Sequence, residues 1–118
     1  MTTYRLFIDD ERNPADVKWG YWQDQELYRD GEWLIARDWS EVLELVVSLG
    51  FPSVISFDHD LGDNTPFDGY QIAQKLCDMI LDGVEVPENF YFLVHSKNPV
   101  GAENIRTYMT NFLKRYGA

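Results

Sequence analysis

Along this chain, short unbroken apolar runs alternate with longer stretches in which apolar residues recur every three or four positions. The runs are Tyr4–Ile8, Trp33–Ala36, Val54–Phe57 and Phe90–Val94. Runs of this length, rich in Ile, Val and aromatics, read as buried strands. Trp39, Val42, Leu43, Val46 and Leu49 keep helical spacing, and Gly50 and Pro52 close that segment. A second helix is predicted near Gly69–Leu81, with Asp68 as its N-cap, Gln71 completing a capping box and Gly83 at its end. Asn98-Pro99 supplies an N-cap and a first-turn proline for a third helix. Its stripe of Ile105, Tyr108, Met109, Phe112, Leu113 and Tyr116 is the cleanest in the chain and reads as core.

Residues 13–32 behave differently. Pro14, Gly20 and Gly31 punctuate them, and Trp19, Tyr21, Trp22 and Tyr28 are scattered without a sustained period. This predicts a long loop with one helical turn, either functional or covering a sheet face with its aromatics. The order is then strand, loop, strand, helix, strand, helix, strand, helix. Such alternation specifies an α/β fold with a parallel sheet and right-handed crossovers. The near-continuous apolar strands fit a sheet covered on both faces. A strand order of 2-1-3-4 in a single domain over residues 1–118 brings strands one, three and four side by side.

Those three neighbours each run directly into a polar cluster. Asp9-Asp10-Glu11-Arg12 comes after the first strand, Asp58-His59-Asp60 after the third and His95-Ser96-Lys97-Asn98 after the fourth. In an open parallel sheet the residues just past the strand ends line the ligand crevice. Five carboxylates and both histidines of the chain are thereby expected at one edge. Asp9, Asp10 and Asp58 suit a hard cation such as Mg²⁺, which takes oxygen ligands and leaves room for a phosphate. The alternative is that these acids cap helices and decorate loops, the simpler reading for Glu11 and Asp63. Histidine exchanges protons near neutral pH, so His59 and His95 are candidate acid and base for a phosphodiester, or ligands for a transition metal. The helix start at Asn98-Pro99-Val100-Gly101 offers backbone N–H groups to an anion, with Gly101 permitting close approach and Ser96 and Lys97 adding a donor and a charge.

Composition narrows the classes. The 118 residues are 45% hydrophobic and 15% aromatic, enough for one folded core. Twenty acidic residues against 10 basic ones give a net charge of −10, which argues against broad nucleic-acid binding but leaves room for a small anionic phosphate ligand. The acidity also serves solubility. No stretch is apolar for the roughly 20 residues that a bilayer requires, and the N-terminus lacks a signal-peptide pattern. Cys77 is the only cysteine, so no internal disulfide forms and a cytoplasmic location is expected. Beside Leu76 and Ile80 it reads as a small core residue.

Asp9-Asp10, Asp58 and the polar position after strand four resemble the response-regulator receiver domain. That resemblance implies Mg²⁺ on the acid pair and phosphorylation of Asp58. The departures are His95 where receivers carry Ser or Thr, the loss of the helix between strands one and two, and no fifth strand with its lysine. The segments Leu6–Pro14, Ile55–Gly62 and Val94–Gly101 are more closely similar to the cyclic-phosphate-processing receiver-like family. This implies a three-layer receiver-like fold and a metal-assisted phosphoesterase acting on a cyclic nucleotide or an RNA-end cyclic phosphate. In that reading Asp9, Asp10 and Asp58 hold Mg²⁺ or Mn²⁺, and His59, His95 and Asp58 are catalytic. Arg12, Ser96, Lys97, Asn98 and Gly101 bind phosphate, with Arg37 as a further anion contact. The alternative is a non-enzymatic signalling or ligand-binding module with Asp58 as phosphoacceptor.

Overall fold

Four apolar strands pair in parallel in the order β2-β1-β3-β4 in the computed structural model, which describes residues 3–18, 22–30, 32–62 and 66–116. The strands are β1 (Arg5–Ile8), β2 (Leu34–Ala36), β3 (Val54–Phe57) and β4 (Tyr91–Val94). Their order is the one the alternation predicts, and the predicted ends differ by one residue in β1, β2 and β4, as strand and helix ends commonly do. The central strand β3 is buried at all four positions, which explains why its sequence shows no polar alternation.

Side-chain alternation divides the sheet into two faces. Leu6, Ile8, Ile55 and Phe57 join the larger core with α2 (Trp39–Leu49), α3 (Gly69–Leu81) and α4 (Pro99–Tyr116). Those helices contribute Val42 and Val46, then Ile72, Ala73, Leu76 and Cys77, then Ile105, Met109 and Phe112. Phe7 points the other way and packs with Val17, Tyr28, Trp33, Ile35 and Leu93. The result is three layers, with the sheet in the middle. Cys77 is core as expected: it is buried, its thiol is pushed up to about 12 by that burial, and Sγ lies 3.7 Å from Met109 Sδ.

One element departs from the sequence reading. A 3₁₀ turn over Pro14–Asp16 and a nine-residue helix, α1 (Trp22–Asp30), stand where a loop with one turn is predicted. The helix between strands one and two is therefore present. It carries the largely polar sequence WQDQELYRD and, among its described side chains, reaches the second core through Tyr28; that sequence leaves no apolar period. The expectations for Trp19, Gly20, Tyr21, Gly31 and Asp63, and for the side chain of Trp22, fall outside the described residues.

The predicted caps form. Asp68 Oδ1 accepts the Gln71 N–H at 2.8 Å, while Gln71 Oε1 accepts the Asp68 N–H at 3.0 Å. Asn98 Oδ1 accepts the Gly101 N–H at 3.0 Å, opening α4. No helix among the described residues is long and apolar enough to cross a membrane.

Candidate functional site

The parallel ladder runs one residue beyond the strands. Asp9, Asp58 and His95 donate their N–H groups to Ala36, Ile8 and Phe57 carbonyls at 3.2, 3.0 and 2.9 Å. The three therefore stand side by side in register, and alternation turns their side chains toward the α1 face. One ligand atom from each lies within 4.8 Å of the others, and all three residues are buried. The juxtaposition expected from the strand ends is present, and this cluster could hold a metal.

Asp9 is the anchor of the cluster. Its Oδ1 accepts the Glu11 and Arg12 N–H groups at 3.0 and 2.9 Å, the turn that an aspartate makes with its own following backbone. Its Oδ2 accepts from His95 Nε2 at 3.0 Å and meets Arg12 Nη1 at 3.5 Å. Burial alone would raise the carboxyl, but His95 and the two amides overcome that and hold it at about 2. Four donors already occupy the roughly four lone-pair sites of the carboxylate. Asp9 is thus a weaker candidate ligand than its neighbours, because an ion shared by Asp9 and His95 must break the bond between them.

Asp58 is the opposite case. Burial, with the adjacent Asp9 charge adding to it, pushes its carboxyl up to about 7 despite Arg12 Nη1 at 3.7 Å. Asp10 is also raised, by burial and by the Asp9 and Glu11 charges. Both border a crevice of about 230 Å³ lined by Asp10, Glu11, Arg12, Asp58, Asp60, Gly62, Lys97 and Asn98. Crowded carboxylates with raised proton affinity suit a hard divalent ion, which replaces the proton. On donor chemistry Asp10 and Asp58 fit Mg²⁺ or Mn²⁺ best, while Asp60, held below the usual carboxylate range by its hydrogen bond to His59, borders the same crevice. Arg12, Lys97 and Asn98 add cationic and amide donors to the same walls.

The two histidines do not share these surroundings. The His95 ring is fully enclosed, stacked on Phe7 with centroids 4.2 Å apart, and Nδ1 lies 2.7 Å from Ser56 Oγ. Burial holds its pKa below the ordinary value, against the pull of Asp9. His59 is one residue past the register of Asp58, so it points to the α3–α4 face. Its Nδ1 lies 2.8 Å from Asp60 Oδ1 and its Nε2 3.6 Å from Asp68 Oδ2. It lines a neighbouring hollow of about 470 Å³ that shares Asp60 and Gly62 with the crevice.

Three residues have roles other than those expected. Gly101 does not open a path for an anion, because the His59 ring fills the space a Cβ would take and the Asn98 cap engages its N–H. Ser96 Oγ accepts the Asn98 N–H at 3.1 Å and shapes the turn. Arg37 is no anion contact: its guanidinium donates to the Asp9 and Arg12 carbonyls at 3.1 and 2.6 Å and to Asn13 Oδ1 at 3.0 Å. It clamps the loop that carries the acid pair. Sequence reasoning also missed Ser56, hidden within an apolar strand, and Tyr28 on α1.

A sequence model described as the cyclic-phosphate processing receiver domain matches residues 4–111. The chain belongs to this family. No curated protein matches this chain. Among solved structures it is similar to a yeast Spc42 trimeric coiled-coil segment, amino acids 181–211, fused to another structure, at 24% identity and a TM-score of 0.53. The match covers 89% of this chain and 59% of that one, a likeness of fold alone.

Proposed function

We propose that the crevice hydrolyses a cyclic phosphodiester with the help of a divalent cation, Mg²⁺ or Mn²⁺. The observation that carries this reading is the pairing of opposite chemistries in one small crevice: Asp10, Asp58 and Asp60 with Arg12, Lys97 and Asn98. Carboxylates alone would repel a phosphate and cations alone would need no metal. Together they suit a metal-bound phosphate of a small anionic ligand, such as a cyclic nucleotide or an RNA-end cyclic phosphate.

Asp10 and Asp58, with Asp60 alongside, would hold the cation, which would polarise a phosphoryl oxygen and make bound water more acidic. Arg12 and Lys97 hold the non-bridging oxygens, and Asn98 Nδ2, 3.4 Å from both Asp60 oxygens, orients that carboxylate. Water adds to phosphorus, one ring P–O bond breaks, and the departing alkoxide takes a proton. His59 is assigned that transfer, since it is the histidine with solvent access and Asp60 fixes its Nδ1. His95 instead holds Asp9. Product formation from a panel of cyclic mono- and dinucleotides, with and without EDTA, tests the reading. Turnover that EDTA stops and that Asp58→Asn removes is expected; no turnover of any cyclic phosphate by the wild type overturns it.

A second reading has its own support. Asp58 ends β3, and Lys97 borders the same crevice from the β4–α4 turn, so a lysine faces the acceptor position although no fifth strand occurs among the described residues. Acetyl phosphate followed by intact mass measurement separates the two: a phosphoryl adduct absent from Asp58→Asn, without cyclic-phosphate turnover, favours a phosphoacceptor module.

A further inference from the structure

A buried chain of hydrogen bonds runs from helix α1 to the floor of the crevice. Tyr28 Oη meets Ser56 Oγ, Ser56 Oγ lies 2.7 Å from His95 Nδ1, and His95 Nε2 lies 3.0 Å from Asp9 Oδ2. The exposures of Tyr28, Ser56, His95 and Asp9 are 3%, 0%, 2% and 0%. Neither Tyr28 nor Ser56 borders the crevice.

The direction of each bond is fixed from one end. Ionised Asp9 only accepts, so His95 Nε2 carries hydrogen and donates to it. In a neutral imidazole Nδ1 is then an acceptor. Ser56 must donate its hydroxyl hydrogen to Nδ1, and Tyr28 donates to the Ser56 oxygen. Asp9 therefore sets the tautomer, stacking on Phe7 fixes the plane of the ring, and the Ser56 hydroxyl supplies a donor to the buried Nδ1. Beyond Asp9, the chain continues into the Glu11 and Arg12 N–H groups held by Oδ1, and so to the guanidinium beside Asp58.

We propose that Tyr28 and Ser56 are positioning residues for the crevice: by supplying the donor that Nδ1 needs, they hold in place the His95 ring that fixes Asp9 and, through it, the Glu11–Arg12 turn opposite Asp58. The inference deepens the reading of the crevice as a ligand site and rests on it only for its effect on metal binding. A purely space-filling role predicts something different. Ser56→Ala and Tyr28→Phe nearly preserve shape, so packing alone would let both variants behave as wild type.

The test combines nitrogen NMR of the labelled imidazole at neutral pH, amide hydrogen exchange at Glu11 and Arg12, and Mn²⁺ titration, all without any phosphate ligand. Wild type is expected to show His95 protonated on Nε2 alone and slow exchange at both amides. In Ser56→Ala the Nδ1 resonance should move as it loses its donor, both amides should exchange faster, and Mn²⁺ affinity should fall by less than the roughly tenfold expected when a direct partner of a metal ligand is lost. Tyr28→Phe should shift the same readouts in the same direction by less, and it carries the comparison if Ser56→Ala does not fold. A wild-type ring protonated on Nδ1, or unchanged amide protection in both variants, overturns the proposal. Expected resonance and exchange changes in a protein that turns over no cyclic phosphate would instead count against the catalytic reading alone.

Discussion

His59 and His95 each stand just past a strand of one sheet, yet they occupy opposite kinds of surroundings. His95 shares the register of Asp9 and Asp58, faces α1, and is sealed between Phe7, Tyr28 and Ser56. His59 lies one residue further from its strand, faces the α3–α4 side, and keeps 18% of its side chain exposed between Asp60 and Asp68. Because side chains alternate with period two, one residue of offset changes the face, and with it the role. A strand-end position identifies the edge of the sheet. Register decides which side of that edge a side chain serves.

The comparison breaks most visibly in stability. His95→Ala removes one partner of a buried pair and leaves Asp9 without its main donor, a loss expected at about 3–5 kcal/mol. His59→Ala should cost about 1 kcal/mol, as for side chains with solvent access. Denaturant melts of both variants check this, and equal losses would erase the distinction between the two histidines.

Metal should sharpen the picture next. A cation that binds the native state alone stabilises by RT ln(1 + [L]/Kd), about 2.7 kcal/mol at a hundredfold excess over Kd. Thermal melts with Mg²⁺ or Mn²⁺ against EDTA should show that gain in wild type and its loss in Asp58→Asn. Without metal, Asp58→Asn should be no less stable than wild type, because neutralising Asp58 removes a carboxylate crowded against Asp9. The crowding depends on the α1-face register, so a metal response untouched by Asp58→Asn would separate the ion from that face.

Gly101 tests the other side. A methyl there overlaps the His59 ring, so Gly101→Ala should cost about 1–3 kcal/mol by overpacking and shift the His59 ring resonances while leaving those of His95 in place. Movement of the His95 ring as well would mean that the two faces of the sheet do not respond separately.

Much of this was legible in the sequence, and the failures have physical causes. The three strand-end clusters, the strand order and the Asp68 and Asn98 caps arise from local patterns that the fold keeps. Helix α1 is hidden because its sequence is largely polar, and among its described side chains Tyr28 joins the core on that face of the sheet. Arg37 looks like an anion contact until its partners are seen to be carbonyls. Ser56 sits among Ile55 and Phe57, where a hydroxyl reads as strand filler. The offset between the two histidines could have been counted from the apolar runs, because Phe57 pairs with Val94 and Asp58 therefore pairs with His95.

The two carboxylates also predict a pH slope. The folded value of Asp58, about 7, is raised above its ordinary 3.8, so its contribution is fully present below 3.8 and is lost as pH rises through about 7. Asp9, lowered to about 2, contributes above 3.8 and loses that contribution as pH falls through about 2. Melting temperature in EDTA should therefore decline from mildly acidic toward neutral pH, and Asp58→Asn should flatten that decline. A slope retained in Asp58→Asn would assign it to another group.

The most direct test of the central claim is phosphorus NMR of cyclic nucleotides incubated with the protein and Mn²⁺ in heavy-oxygen water. Metal-assisted hydrolysis at this crevice predicts ring opening to a monoester carrying one solvent oxygen, abolished by EDTA and by Asp58→Asn and strongly slowed by His59→Ala. Cyclic phosphates that remain intact with wild-type protein, or ring opening that proceeds equally in Asp58→Asn, would contradict it.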